Sequence, residues 1–280
     1  MYEDIRYEVD DPVALITLNR PQALNAWTEK MDVEVRDALT RAAADRAVAG
    51  IVITGEGRAF CAGADMNRLS SISSGAGGSH DPLASFERPD RTPGDEVDDY
   101  GGRFTYVMTI DKPVIAAVNG PVAGMAFPFA LCCDLRVAAP EALFVTSFAQ
   151  RGLIAEWGLS WLLPRLVGPA VALDLLFTSR RVSGDEAYRL GLANYLVSVE
   201  ELLPFCREYV ENIARSCSPT SLAIMKRQVY GQLHRGLGEA ELESQRLMLE
   251  SFGRADFKEG VSSFVEKRAP EFPRLPLAES

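Results

Sequence analysis

The sequence predicts an α/β fold, with a core of alternating strands and helices in residues 1–200 and a helical region in residues 201–280. Two apolar, β-branched runs, residues 50–54 and 113–118, have the length of buried strands, and each is followed by small residues and a helical pattern. After Trp161 the apolar side chains recur almost everywhere at helical spacing. The first half therefore has a rough strand–strand–helix order, and the second half is predicted to be helical.

The chain begins with a predicted hairpin. Residues 3–9 and 13–19 alternate apolar and polar side chains, and the turn Asp10-Asp11-Pro12 separates them. Thr28 then stands where a side chain can cap the amino end of a helix. The apolar positions that follow share one helical face: Met31, Val35, Leu39 and residues 42–44.

Residues 70–101 differ in composition from the rest of the chain, because Ser, Gly, Asp and Pro dominate them. We interpret them as a loop rather than a linker, since strand and helix patterns resume on both sides. Because they lie beside residues 60–65, two interpretations stay open for them: a lid over a site there, or a plain variable loop.

The remaining elements follow from apolar spacing and capping signals. A helix from Phe104 leads to the strand at 113–118, and an apolar helix ending near Cys133 leads to a strand at 134–138. The capping box Ser183-Gly-Asp-Glu186 opens a short helix. Longer amphipathic helices are predicted around 199–216, 219–234, 237–252 and 254–268.

The composition excludes several classes of partner. In a chain of 280 residues, the net charge of −10 argues against nucleic acid, although a few local Lys or Arg side chains can still hold a phosphorylated ligand. No apolar run approaches the roughly 20 residues that cross a bilayer, and the N-terminus lacks the order of a signal peptide. We therefore expect no membrane partner and a cytoplasmic location. The five cysteines lack metal-ligand spacing, so no metal site is predicted.

Two short segments carry the functional signal: Phe60-Cys61-Ala62-Gly63-Ala64-Asp65 and Asn119-Gly120-Pro121-Val122-Ala123-Gly124-Met125-Ala126. Each lies between a predicted strand and a helical stretch, where backbone N–H groups are left unpaired. Two such turns facing one pocket can stabilise a carbonyl oxygen that gains negative charge, which is an oxyanion hole.

Together with residues 20–26 and 264–268, these segments resemble the crotonase (enoyl-CoA hydratase/isomerase) superfamily, over about residues 5–272. The resemblance implies a right-handed spiral of ββα units with a helical C-terminal region. It also implies an acyl-CoA thioester as substrate, with coenzyme A entering only as part of that substrate and no permanently bound cofactor. A homotrimer or a dimer of trimers is the usual assembly of the family.

The resemblance further implies site residues. The oxyanion donors are the backbone N–H groups of Ala62 and Met125, the latter in a position where the family most often has glycine. The implied coenzyme A contacts are Ala23, Leu24, Ala26, Arg58, Ala64, Asp65, Met66, Phe264 and Lys267. Phe264 and Lys267 match positions that reach the ligand from the C-terminal helix or an adjoining subunit.

The acid and base depart from the family pattern. Family hydratases use two glutamates, and the matching positions here hold Pro128 and Phe148, which cannot transfer protons. The segment at 152–160 matches the glycine-rich active-site loop of the family, and it contains Glu156 among apolar neighbours. We interpret Glu156 as the proton-transfer group, and a structural glutamate at a helix start is the alternative.

The sequence therefore predicts an enzyme that hydrates or isomerises an enoyl-CoA double bond with a non-standard carboxylate. A single carboxylate suits isomerisation most simply, because one base can remove a proton and return it to another carbon. A catalytically inactive acyl-CoA-binding homologue is the alternative from another class. Thioester hydrolysis or C–C cleavage in the same oxyanion hole also stays open.

Overall fold

The computed structural model describes residues 2–65, 70, 74 and 100–276, and it shows two β-sheets surrounded by helices. The larger sheet has six strands in the order β1-β2-β3-β4-β6-β9. These strands are β1 (Ile5–Asp10), β2 (Val13–Leu18), β3 (Gly50–Gly55), β4 (Val114–Val118), β6 (Leu135–Ala138) and β9 (Tyr195–Leu196). All neighbours except β1 and β2 run parallel.

The predicted hairpin and first helix are confirmed. β1 and β2 pair antiparallel from Ile5 opposite Leu18 to Asp10 opposite Val13. Helix α1 (Glu29–Ala44) begins at the Thr28 cap, whose side chain accepts a hydrogen bond from the Met31 N–H. Most of the apolar face predicted for α1 is buried against the sheet, through Met31, Val35, Leu39 and Ala42, whereas Ala44 is exposed.

The smaller sheet was not predicted. It consists of β5 (Pro121–Ala123), β7 (Leu143–Val145) and β8 (Val182–Ser183) in the order β5-β7-β8. The segment interpreted as a simple turn after β4 thus contains a strand. Two-residue strands β8 and β9 also interrupt the part of the chain predicted to be almost wholly helical, because they complete the two sheets.

The helices that follow are α2 (Ala126–Cys132), α3 (Leu159–Val167), α4 (Pro169–Thr178), α5 (Gly184–Leu190), α6 (Val199–Ser216), α7 (Pro219–Gln232), α8 (Leu237–Phe252) and α9 (Ala255–Glu266). From α5 onward they lie close to their predicted bounds, whereas the sequence patterns did not separate α3 from α4. The Ser183 side chain caps α5 by accepting from the Glu186 N–H, as predicted. The helix expected from Phe104 is a short 3-10 helix, Thr105–Thr109.

A partly buried ion pair joins the C-terminal helices to the core. Lys226 Nζ on α7 lies 2.7 Å from Asp134 Oδ2, and the Tyr230 hydroxyl donates to Oδ1 of the same carboxylate at 2.8 Å. Asp134 also accepts the Val114 N–H at the start of β4. Beyond α7, helices α8 and α9 carry several exposed apolar side chains: Leu237, Leu242, Leu249, Phe264 and Val265.

The predicted lid, residues 70–101, lies almost wholly outside the described residues. Among the residues that the structure does describe, no helix is long and apolar enough to cross a bilayer.

Candidate active site

The two segments singled out in the sequence lie side by side. They follow the carboxyl ends of β3 and β4, which are adjacent and parallel, so both leave the sheet at the same edge. Cys61 and Val122 pair as a parallel bridge: the Cys61 N–H donates to the Pro121 carbonyl at 3.0 Å, and the Ala123 N–H donates to the Cys61 carbonyl at 3.0 Å. The backbone pairing therefore fixes the register of the two turns.

That register identifies the facing donors. Extending the Cys61–Val122 pairing by three residues places Ala64 opposite Met125, each directly after a glycine with positive φ, Gly63 or Gly124. Within the described residues, neither the Ala64 N–H nor the Met125 N–H has a hydrogen-bond acceptor. Two unpaired N–H groups at facing positions are what an oxyanion hole requires.

The prediction of Ala62 as a donor is corrected. The Ala62 N–H donates to the Leu24 carbonyl at 3.0 Å, so it is already paired inside the chain. Each segment has a glycine directly before the unpaired N–H group: Gly63 before Ala64 and Gly124 before Met125. Aligning these two glycines in the sequence would have given the observed register.

Ala64 is held in place by the segment that precedes α1. The Trp27 N–H donates to the Gly63 carbonyl at 2.7 Å, and the Asp65 N–H donates to the Trp27 carbonyl at 3.1 Å, on either side of Ala64. Arg20 closes this arrangement, since its guanidinium contacts the Asp65 carboxylate at 3.1 Å and the Ala26 carbonyl at 2.6 Å. Ala26 and Asp65 thus have structural partners in addition to their predicted ligand role.

An aromatic cluster connects this turn to the loop of Glu156. The Trp27 ring lies 4.7 Å from that of Phe129 and 5.3 Å from that of Phe104. Phe104 in turn contacts Trp157 edge-to-face at 6.0 Å. Trp157 has φ 56°, a left-handed conformation that is costly for a bulky residue and is often found at functional sites.

Glu156 is half-buried beside this cluster. Burial raises the pKa of its carboxyl group above the ordinary value, and the neighbouring Trp157 side chain partly offsets that rise. Its carbonyl accepts the Leu159 N–H at the start of α3. A carboxyl group with a raised pKa is suited to exchanging protons near neutral pH.

Other side chains near the turns are poor proton-transfer groups. Pro128 lies in α2, which is buried along its whole length, and Phe148 is 4% exposed. Burial raises the pKa of the Cys61 thiol to about 12, so it stays protonated. Glu156 therefore stays the candidate for proton transfer that the sequence suggested.

The other residues predicted to contact coenzyme A, apart from Ala26, Ala64 and Asp65 at the turn, lie in separate places. Leu24 and the exposed Arg58 line one open cleft, and Ala23 ends the short helix before Leu24. Phe264 and Lys267 lie at the end of α9, where the Phe264 side chain is 85% exposed. Met66 lies outside the described residues.

Comparison with known proteins identifies related sequences along almost the whole chain. The profile of the family described as enoyl-CoA hydratase/isomerase matches residues 8–274. A crotonyl-CoA hydratase of Syntrophomonas wolfei is 34% identical over 273 residues, which is 97% of this chain and 98% of that protein. A 1,2-epoxyphenylacetyl-CoA isomerase of Escherichia coli is 32% identical over 273 residues, with 97% and 99% covered.

Solved structures of enoyl-CoA hydratases also superpose on almost the whole chain. The crystal structure of an enoyl-CoA hydratase from Polaromonas sp. JS666 superposes with a TM-score of 0.84 at 28% identity, covering 96% of this chain and 99% of the other. That of an enoyl-CoA hydratase from Mycobacterium tuberculosis H37Rv gives a TM-score of 0.81 at 28% identity, covering 96% and 98%. The α/β fold that the family resemblance implied is confirmed.

Proposed function

Because the chain belongs to the enoyl-CoA hydratase/isomerase family, we propose that it hydrates or isomerises the double bond of an enoyl-CoA thioester. The observation that supports this most directly is the facing pair of unpaired N–H groups at Ala64 and Met125. Both reactions pass through an enolate whose negative charge rests on the thioester oxygen. Each preorganised donor on that oxygen lowers the barrier by roughly 3–4 kcal/mol.

Glu156 supplies the proton transfer in this proposal. In isomerisation its carboxylate removes a proton from one side of the double bond, the electrons move onto the thioester oxygen, and the same carboxyl group returns the proton at another carbon. In hydration it removes a proton from water as the oxygen bonds to C3, and the same carboxyl group then delivers that proton to C2 of the enolate. Isomerisation asks less of a single carboxyl group, because it needs no positioned water.

The relatives do not decide between the two reactions. The two relatives described above are a crotonyl-CoA hydratase and a 1,2-epoxyphenylacetyl-CoA isomerase, at 34% and 32% identity. The positions of the two family glutamates hold buried Pro128 and Phe148 here. Proton transfer then falls to one proposed carboxyl group, that of Glu156, which favours isomerisation.

The test compares wild type with Glu156→Gln and with Glu208→Gln, an exposed glutamate on α6. Loss of enoyl absorbance with crotonyl-CoA measures hydration, and gain of that absorbance with a 3-enoyl-CoA measures isomerisation. We expect activity in wild type and Glu208→Gln and a loss of about 10²–10⁴-fold in Glu156→Gln. No turnover of either substrate by wild type, with binding intact, contradicts the proposal and favours an inactive acyl-CoA binder.

A further inference from the structure

One carboxylate, that of Asp32 on α1, contacts side chains from both halves of the candidate active site. Its Oδ1 atom accepts a hydrogen bond from the Trp27 indole N–H at 3.1 Å and a second one from the Arg103 Nε–H at 3.1 Å. The Arg103 and Asp32 side chains are 10% and 23% exposed, so salt screens this ion pair less than a pair on the open surface. The reaction proposed above uses neither residue.

The Trp27 side of this contact supports the turn that carries the Ala64 N–H. The Trp27 side chain is buried, and its backbone pairs with Gly63 and Asp65 on either side of Ala64. Its indole N–H is bound by Asp32, so Trp27 is held through both its backbone and its ring. A donor stabilises an enolate only if it is in place before the reaction begins. Asp32 therefore helps to fix the Ala64 N–H through Trp27.

The Arg103 side of the contact reaches the loop of Glu156. The guanidinium lies over the Trp157 ring, with its central carbon 5.4 Å from the ring centroid, which is within the range of a cation–π contact. Trp157 directly follows Glu156, and a bulky residue keeps a φ of 56° only where its surroundings hold it. The contacts of this ring with Phe104 and Arg103 contribute to that hold.

We propose that Asp32 and Arg103 are positioning residues, which hold the Ala64 turn and the Glu156 loop in the relation that proton transfer to and from the enolate requires. This assignment rests on the proposed function. A carboxylate oxygen suits the role because it accepts hydrogen bonds from donors on two separate segments. A guanidinium suits it because its Nε–H bonds to the carboxylate while its flat group covers the indole ring.

The first test measures steady-state turnover of the enoyl-CoA that wild type accepts, crotonyl-CoA or a 3-enoyl-CoA. Arg103→Met removes both the ion pair and the cation over Trp157. Arg165→Met is the matched control, because the exposed Arg165 on α3 lies over the third tryptophan, Trp161, at 3.8 Å. We expect Arg103→Met to lower kcat by about 10–100-fold and to change KM by less than about threefold. Arg165→Met should leave both unchanged.

Combination with Glu156→Gln separates positioning from a general loss of stability. Because Arg103 acts through the Glu156 loop, adding Arg103→Met to Glu156→Gln should lower kcat no further. Adding Asp32→Ala should lower it again, since that change also releases Trp27. Additive losses from Arg103→Met and Glu156→Gln overturn the proposal. A lower free energy of unfolding of Arg103→Met, with the kcat of the folded protein unchanged, overturns it as well.

A second test needs no turnover. Amide hydrogen exchange of the full chain reports local opening of residues 152–158 directly. We expect Arg103→Met to raise exchange there by about tenfold and Arg165→Met to leave it unchanged. Asp32→Ala should raise exchange in residues 60–65 as well. Unchanged exchange in Arg103→Met overturns the proposal even in an active enzyme. Faster exchange in a chain whose wild type turns over neither substrate supports the hold on the loop and contradicts the proposed function alone.

Discussion

Gly63 lies so close to Ala123 that a Cβ atom on Gly63 would stand 2.7 Å from the Ala123 carbonyl oxygen. Gly63 also has φ +95°, where side chains are strained. We therefore expect Gly63→Ala to separate the two turns and to cost about 1–3 kcal/mol in the free energy of unfolding. Turnover should fall more steeply than stability, because the facing of Ala64 and Met125 depends on this contact.

Gly231→Ala is the control for that substitution. Gly231 lies inside α7, and a Cβ there meets nothing within 4 Å. Alanine should stabilise the helix by about 0.5–1 kcal/mol and leave turnover unchanged. Chemical denaturation gives the free energy of unfolding of both variants, and a turnover assay gives their activity. Equal activity of the two variants would contradict the role given to the Gly63 contact.

The Met125 N–H can be removed without changing the local backbone angle of Met125. Its φ is −64°, which is the value that proline adopts. Met125→Pro should reduce kcat by about 10²–10³-fold if this N–H stabilises the enolate. Met125→Leu keeps the donor and should retain most of the activity. Circular dichroism of both variants checks that α2 still forms, and equal kcat values in folded proteins would exclude the donor role.

The pH dependence of turnover should follow Glu156. Burial raises the pKa of this carboxyl group, so the rise of kcat/KM with pH is expected above the ordinary glutamate value of 4.5. A carboxyl group with a raised folded-state pKa binds its proton more tightly in the folded chain, so its ionisation lowers stability as pH rises from the unfolded pKa through the folded one. In Glu156→Gln, any residual kcat/KM should therefore no longer fall at low pH. This variant should also be at least as stable as wild type at pH 7. A less stable variant would indicate a structural carboxylate.

The contact between Lys226 and Asp134 should anchor the C-terminal helices. The two side chains are 10% and 18% exposed, and the carboxylate also accepts from Tyr230 and Val114. Asp134→Asn should lower the free energy of unfolding by about 2–3 kcal/mol. The exposed pair Arg246–Glu250 is the comparison, and its loss should cost under about 1 kcal/mol. A double-mutant cycle with Lys226→Met measures the coupling.

The exposed apolar side chains of α8 predict self-association, which the family resemblance describes as a trimer or a dimer of trimers. Leu237 and Leu242 are 84% and 69% exposed in the single chain. Light scattering should give three or six times the mass of one chain, and Leu237→Ser with Leu242→Ser should shift that mass downward. Val33→Ser, at a site 68% exposed on α1, should leave it unchanged. A monomeric wild type would contradict this prediction.

Local signals made much of the fold predictable. The capping residues Thr28 and Ser183 predict where their helices begin. The spacing of apolar side chains predicts the bounds of α6 to α9 to within about two residues. Strand β5 was missed because it has only three residues and begins with proline. Its existence depends on a partner strand, Leu143–Val145, that lies about 20 residues later.

The sequence predicted which two segments form the candidate site, but not which backbone N–H group of the first segment is left unpaired. Which of the two N–H groups, that of Ala62 or that of Ala64, is available as a donor depends on pairings with distant residues. The Leu24 carbonyl accepts the Ala62 N–H, whereas Trp27 pairs with the residues on either side of Ala64 and leaves its N–H unpaired in the described structure.

The aromatic cluster gives this protein an optical reporter of its own. Of its three tryptophans, Trp27 flanks the Ala64 turn and Trp157 adjoins Glu156, and both contact Phe104. The third, Trp161, stacks on His234 instead. Indole emission responds to the polarity around the ring, so entry of an acyl group between the turn and the Glu156 loop should change the intrinsic fluorescence. Ligand affinity can then be followed without a label, even in variants that no longer turn over substrate.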